Sequence, residues 1–168
     1  MPTYKRHRMP GGTYFFTVVL ANRNDSILID HFPELTSEIQ LVKTKRPFGM
    51  NAWVILPDHM HCLWTLPRHD ADYPGRWWAI KSLFTRRYRR LHGGNTRKIW
   101  QNRYWEHAIR DQADFDRHRD YIHFNPVRHG YVSRAMDWPC SSFRYYVDKG
   151  LYSTEWGSDD SVSIPKGE

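Results

Sequence analysis

Two short stretches of this 168-residue chain carry side chains able to do chemistry at one centre. The first is His59-Met60-His61. On a β-strand, residues i and i+2 point to the same face, so two imidazoles would stand about 6–7 Å apart along the backbone. That is near enough for both to bind one metal ion. Trp53 to Leu56 before the pair and Cys62 to Leu66 after it are apolar, which suits a central strand. The plainer reading is a strand-end pair bonded to loop carbonyls, and ten histidines in the chain make chance pairs common. The second stretch is Tyr121-Ile-His-Phe-Asn125. Residues i and i+4 share a helix face, so Tyr121 and Asn125 can point together. An asparagine oxygen suits Mg²⁺ or Mn²⁺ as a third ligand. A tyrosine hydroxyl is a weak nucleophile at its ordinary pKa of about 10, so it needs activation. The plainer reading is a packing tyrosine and a helix-terminal asparagine. His123 lies roughly 200° from Tyr121 around a helix and falls outside the site.

A third feature suggests what such a centre acts on. Arg86, Arg87, Arg89 and Arg90 share one segment with Trp77 and Trp78, and Arg97, Lys98 and Arg103 flank Trp100. Arginines neutralise phosphates, and aromatic faces stack exposed bases. Lys plus Arg number 25 against 18 Asp plus Glu, a net charge of +7 that favours a polyanionic partner, nucleic acid first. The alternative is a solvated helix face beside ordinary core aromatics. A divalent ion on a scissile phosphate would take up the charge developing on its oxygens.

The elements that must position these residues follow from pattern. Tyr14–Ala21 reads as a buried strand, and Leu35–Lys45 as a helix with Pro33 near its start. Phe48–Leu56 and His59–Leu66 read as strands joined at Pro57-Asp58. From about Arg76 to Leu91, Trp77, Ile80, Phe84, Tyr88 and Leu91 recur at helical spacing, and Gly93-Gly94-Asn95 stops the helix. Ile99–Ile109 reads as a strand, and Asp114–Asn125 as a helix ended by Pro126. Trp138–Val147 is compact and aromatic. The order β-α-β-β-α-β plus a helix predicts an α+β, ferredoxin-like split βαβ fold: an antiparallel sheet with helices on one face, an extra C-terminal helix and a tail. Residues 1–147 form the domain, and the polar residues 148–168 read as a flexible tail.

Several classes drop out. Cys62 and Cys140 make neither a metal pair nor a disulfide framework, as suits a reducing cytosol. Cys62 would face away from His59 and His61, which argues against a structural zinc site. No apolar run approaches the ~20 residues a membrane helix needs. Lys5, Arg6 and Arg8 before an uncharged stretch mimic a signal peptide, but Tyr14–Ala21 suits a strand better and no small-residue cleavage site follows.

His59-Met-His61 resembles the His-hydrophobe-His (HUH) motif of single-strand DNA endonucleases. Asn102-Arg-Tyr-Trp-Glu-His107, Tyr121-Ile-His-Phe-Asn-Pro-Val-Arg-His-Gly130 and Trp138-Pro-Cys-Ser-Ser-Phe-Arg-Tyr-Tyr146 resemble blocks of one branch, the single-tyrosine transposases associated with repetitive extragenic palindromes (REP). The likeness runs from about Met9 to Val147. It implies Tyr121 as nucleophile and His59 and His61 as ligands of Mg²⁺ or Mn²⁺. Asn125 would be the third ligand, where many insertion-sequence relatives carry glutamine. It implies Arg86, Arg87, Arg89, Arg90, Arg97, Lys98 and Arg103 as DNA contacts, with the tail also touching the hairpin. Pro57-Asp58 would lie beside the site without a role. The implied activity is cleavage and rejoining of single-stranded DNA at palindromic hairpins through a 5′-phosphotyrosine. The setting would be cytoplasmic and nucleoid-associated, and the protein a monomer or homodimer. The rival readings are a non-catalytic binder of structured DNA or RNA and a metal nuclease using activated water.

Overall fold

A computed structural model describes residues 8–94 and 96–158. Its elements run β1 (Thr13–Val19), α1 (Ile27–Asp30), α2 (Phe32–Lys45), β2 (Gly49–Ile55), β3 (His59–Thr65), α3 (Tyr73–Leu91), β4 (Trp105–Ala108), α4 (Gln112–Arg128), a 3₁₀ turn (Ala135–Asp137) and α5 (Phe143–Asp148). The four strands form one antiparallel sheet in the order β2-β3-β1-β4. This is the ferredoxin-like arrangement the element order predicts, with the histidine-bearing β3 in the interior of the sheet.

Period two explains how the sheet serves two layers. Tyr14, Phe16 and Val18 of β1 and Met60, Cys62 and Trp64 of β3 join one core with Leu35 and Ile39 of α2 and Trp77, Ile80 and Phe84 of α3. Trp77 stacks on Trp64 at 4.2 Å. The intervening residues Phe15, Leu63 and Val54 meet Tyr121 and Ile122 of α4 on the opposite face. The two crossover helices thus share one face, and the extra helix takes the other. Asp72 caps α3 by accepting the Gly75 N–H at 2.9 Å. Leu91, at the end of the predicted apolar stripe, is exposed instead.

Three expectations change. The predicted strand Ile99–Ile109 shortens to Trp105–Ala108, with one isolated bridge between Leu20 and Trp100. Ile99 and Trp100 are buried while Gln101, Asn102 and Arg103 are exposed, so burial rather than ladder bonding fixes that segment. Helix α4 does not end before Pro126 but runs through it to Arg128. Proline forfeits one backbone bond and crowds the carbonyl four residues back. Here only Val127 and Arg128 follow before Gly130, at φ +75°, closes the helix. Gly130 N–H bonds Val127 O at 2.9 Å and Tyr131 N–H bonds Pro126 O at 3.0 Å, the paired bonds of a left-handed helix stop. Third, the chain beyond residue 147 packs against the domain as far as Gly157: Tyr152 and Gly157 are buried, and Trp156 lies 4.6 Å from the Tyr152 ring. Residues 159–168 lie outside the described part.

The Trp138–Val147 segment covers an edge. Ile55 N–H bonds Cys140 O and Ser142 N–H bonds Trp53 O, both at 2.9 Å, so residues 140–142 close the open side of β2. No helix among the described residues is long and apolar enough to cross a membrane.

Candidate active site

His61 stands opposite Thr17 of β1, and His59 opposite Val19. Both imidazoles point to the α4 face, with ring centres 5.0 Å apart. Each is held by its Nδ1. His59 Nδ1–H donates to Asp58 Oδ1 at 2.8 Å, and His61 Nδ1 lies 2.8 Å from the Thr17 hydroxyl. In both rings the Nε2 atom remains for a ligand, the arrangement by which partners behind a metal-binding histidine fix its orientation. Burial first, then the neighbouring His59, His129 and Arg128, hold His61 well below the usual histidine range. His129 is lowered by burial and by His59 and Arg128. Neutral imidazole is the form that binds metals. Burial pushes the Asp58 carboxyl up, but hydrogen bonds from Arg23 and His59 outweigh it and keep the group ionised below the usual range.

Helix α4 delivers the rest. Tyr121 is 3% exposed, and its ring meets His61 edge-on at 5.3 Å. Two turns on, His129 packs against His59 at 5.2 Å. Asn125 sits between them on the same i, i+4, i+8 stripe. It is fully buried, and neither its Oδ1 nor its Nδ2 has a hydrogen-bond partner. A buried amide left so costs stability unless a ligand meets it. Two imidazole nitrogens and one amide oxygen are a donor set that fits a divalent cation. Arg128 Nη1 donates to the Tyr121 hydroxyl at 2.6 Å.

The other histidines have separate partners. His123 faces away from Tyr121, bonded to Ser142 Oγ at 2.8 Å and Tyr152 at 3.2 Å, as its helical angle predicts. Burial and the Arg119 charge lower it to about 3. His107, Asp114 and His118 place ligand-type atoms within 4.8 Å of one another. Those atoms are engaged: Asp114 Oδ2 meets His107 Nε2 at 2.8 Å and the Arg110 N–H at 3.0 Å, while His118 Nδ1 bonds Asp114 O at 2.8 Å.

The basic residues divide. Arg86, Arg89 and Lys98 line a groove of about 720 Å³ between α3 and residues 98–104, with Lys81 and Trp78. No acidic side chain lines it among the described residues, and Trp78 is 72% exposed. Arg87 pairs with Glu38 at 3.2 Å, and Arg97 with Asp25 at 3.2 Å. Arg90 and Arg103 are exposed outside the groove lining.

A REP-associated tyrosine transposase of Escherichia coli strain K12 is 48% identical over 159 residues, covering 95% of this chain and 93% of its own length. This chain belongs to the REP-associated tyrosine transposases. A relative in Haemophilus influenzae is 42% identical over 176 residues and spans all of this chain. The solved structure of a REP-associated tyrosine transposase bound to a REP hairpin matches with a TM-score of 0.85 and 45% identity over the whole of both chains. No family model matches the chain.

Within this REP-associated transposase, sequence reasoning missed Arg128, His129 and Thr17, and gave Asp58 no role. The i+4 repeat Tyr121, Asn125, His129 carries the signal for His129. It was hidden because Pro126 reads as a helix end. Thr17 is legible only once β1 is paired with β3.

Proposed function

We propose that this transposase cleaves and rejoins single-stranded DNA at REP-like palindromic hairpins, with Tyr121 as nucleophile. The observation that carries the reading is the buried, unpartnered Asn125 on the stripe joining Tyr121, beside His61, to His129, beside His59. His59, His61 and Asn125 would hold Mg²⁺ or Mn²⁺. Such an ion, when bound, supplies a Lewis acid that polarises a phosphoryl oxygen.

The chain's own residues do the rest. The Tyr121 oxygen forms a bond to the scissile phosphorus as the bond from phosphorus to the 3′-oxygen breaks. The phenol proton passes to solvent, and the departing 3′-oxygen takes one from solvent. The product is a 5′-phosphotyrosine and a free 3′-hydroxyl. The bond count is unchanged, so a 3′-hydroxyl can reverse the step without ATP. Holding the phenol against the His61 wall orients it for in-line attack. Asp58 and Thr17 lock the two imidazoles.

Arg86, Arg89, Lys98 and Lys81 would neutralise backbone phosphates, and Trp78 would stack an unpaired base. That groove is built by α3, on the sheet face opposite the histidines, so one DNA must pass the β4 edge to use both. Trp105 is 48% exposed on that edge. Arg90 and Arg103 can add general attraction from outside the groove; Arg87 and Arg97 reach DNA only by leaving their carboxylates. A DNA substrate and the net charge of +7 support a cytoplasmic, nucleoid-associated setting, as monomer or homodimer. We take residues 1–147 as the catalytic domain, with residues 148–157 as its packed extension.

The test is incubation of the protein and Mg²⁺ with labelled REP hairpins carrying unpaired flanks, followed by denaturing electrophoresis. A covalent protein–DNA band is expected, absent in Tyr121→Phe, which keeps hairpin binding. Binding without cleavage by either form would leave a non-catalytic binder. Cleavage without a covalent band would point to activated water.

A further inference from the structure

Arg128 is a cation bonded to the proposed nucleophile, and no sequence pattern assigns it. Its Nη1 donates to the Tyr121 oxygen at 2.6 Å, and its guanidinium carbon lies 5.3 Å from the ring centre. The hydroxyl oxygen is therefore the acceptor in this bond, which fixes the atom that must attack beside a positive charge. Tyr121 itself is 3% exposed, whereas Arg128 is exposed. The arginine thus lies on the solvent side of the phenol, where a phosphate would approach. A guanidinium carries five N–H donors in a planar fork that fits phosphate oxygens in pairs. One is used on Tyr121, and Arg128 makes no other hydrogen bond to the described residues. Arg128 is also the last residue of α4, seven places on from Tyr121, fixed in place by the Gly130 stop.

We propose that Arg128 is a catalytic residue that grips the Tyr121 oxygen and a non-bridging oxygen of the scissile phosphate with the same guanidinium. It brings nucleophile and phosphorus together and offsets charge on the phosphoryl oxygens as the Oη–P bond forms and the P–O3′ bond breaks. The guanidinium stays protonated throughout, and the phenol proton leaves to solvent as above. This rests on Tyr121 being the nucleophile.

The experiment compares wild type, Arg128→Ala and Arg128→Lys in single-turnover adduct formation at saturating hairpin, beside hairpin Kd. Removing one donor aimed at a reacting oxygen typically lowers the chemical rate by ~10²–10³. That loss is expected for Arg128→Ala with Kd changed less than about threefold, the size of a ~0.6 kcal/mol effect. Arg128→Lys, which keeps the charge without the fork, should fall between. The decisive substrate carries a neutral methylphosphonate at the scissile position. If Arg128 serves the phosphoryl oxygen, the gap between wild type and Arg128→Ala narrows on it at least tenfold. An equal gap on both substrates, or a wild-type rate for Arg128→Ala, overturns the proposal. Should wild type be inert on the analogue, added guanidinium ion is compared with equal sodium chloride on the ordinary hairpin. Rescue of Arg128→Ala by guanidinium supports the contact, and no rescue overturns it. Tyr121→Phe separates the two readings. If it still forms adduct, the nucleophile assignment fails; if it forms none and the Arg128 tests fail, only Arg128's role is lost.

Discussion

The two faces of one four-stranded sheet are used in opposite ways. Under α2 and α3 the sheet presents Tyr14, Phe16, Val18, Met60, Cys62 and Trp64 to an aromatic and aliphatic core. Under α4 the same strands present Thr17, His59 and His61 to Tyr121, Asn125 and His129. The strands alternate between the two with every residue, so one stretch of β3 serves both. Stability and chemistry therefore come from opposite sides of the sheet in a domain this small. The apolar face can carry the fold, which lets the polar face keep a buried amide without a partner.

The largest effect should come from the apolar face. Trp77 is fully buried and stacked on Trp64. Trp77→Ala removes that contact and leaves a cavity, so it should cost about 3–5 kcal/mol in denaturant unfolding. A loss near zero would break the division of labour.

His123 tests the layer behind α4, with a pH signature. Burial first, then Arg119, lower it to about 3 in the folded protein, while the unfolded chain protonates near the ordinary histidine value. Between those values the unfolded state binds the extra proton, so the contribution is fully present above about pH 6.5 and is lost as pH falls toward 3. The wild type should lose roughly 1–1.5 kcal/mol per pH unit in that window relative to His123→Gln. Parallel stability curves for the two proteins would remove His123 as a source of acid sensitivity.

How far the two faces were legible in the sequence follows from the range of each signal. The histidine pair stood out because a strand repeats every two residues, and Tyr121 with Asn125 because a helix brings i and i+4 together. Arg128 and His129 were lost behind Pro126, since a local rule about proline cannot see that only two helical residues remain before Gly130. Segment 99–104 reads as strand from its tryptophan and tyrosine, but its order comes from burial of Ile99 and Trp100. Tyr152 looks like part of a polar tail, yet it is fixed by distant partners: Arg119 donates to its hydroxyl at 2.9 Å, and Phe143 lies 5.0 Å from its ring. Long-range pairings leave no periodic trace.

Asn125 sharpens the contrast further, because removing it should help the fold. In the presence of a chelator, Asn125→Leu trades an unpartnered buried amide for an apolar side chain with the same branching. A gain of about 1–2 kcal/mol in unfolding free energy is expected. Adding Mn²⁺ should then raise the Tm of the wild type but not of the variant, since a ligand stabilises only the state that binds it. A destabilised Asn125→Leu, or equal Mn²⁺ shifts, would mean that the amide serves packing rather than a cation.

The smallest effects separate two neighbouring arginines of α3. Arg87 is tied to Glu38 at 3.2 Å, while Arg86 lines the basic groove. Arg87→Ala should cost about 0.2–1 kcal/mol of stability, as partly exposed ion pairs do. It should leave the salt dependence of hairpin binding unchanged, because its charge is already answered within the protein. Arg86→Ala should do the reverse: stability within about 0.5 kcal/mol of wild type, and a log Kd against log salt slope smaller by about one. The measurement is hairpin affinity at several salt concentrations for both variants. If Arg87 reduces the slope as much as Arg86 does, the DNA path must extend across α3 toward α2, and the groove would be only part of the surface that meets it.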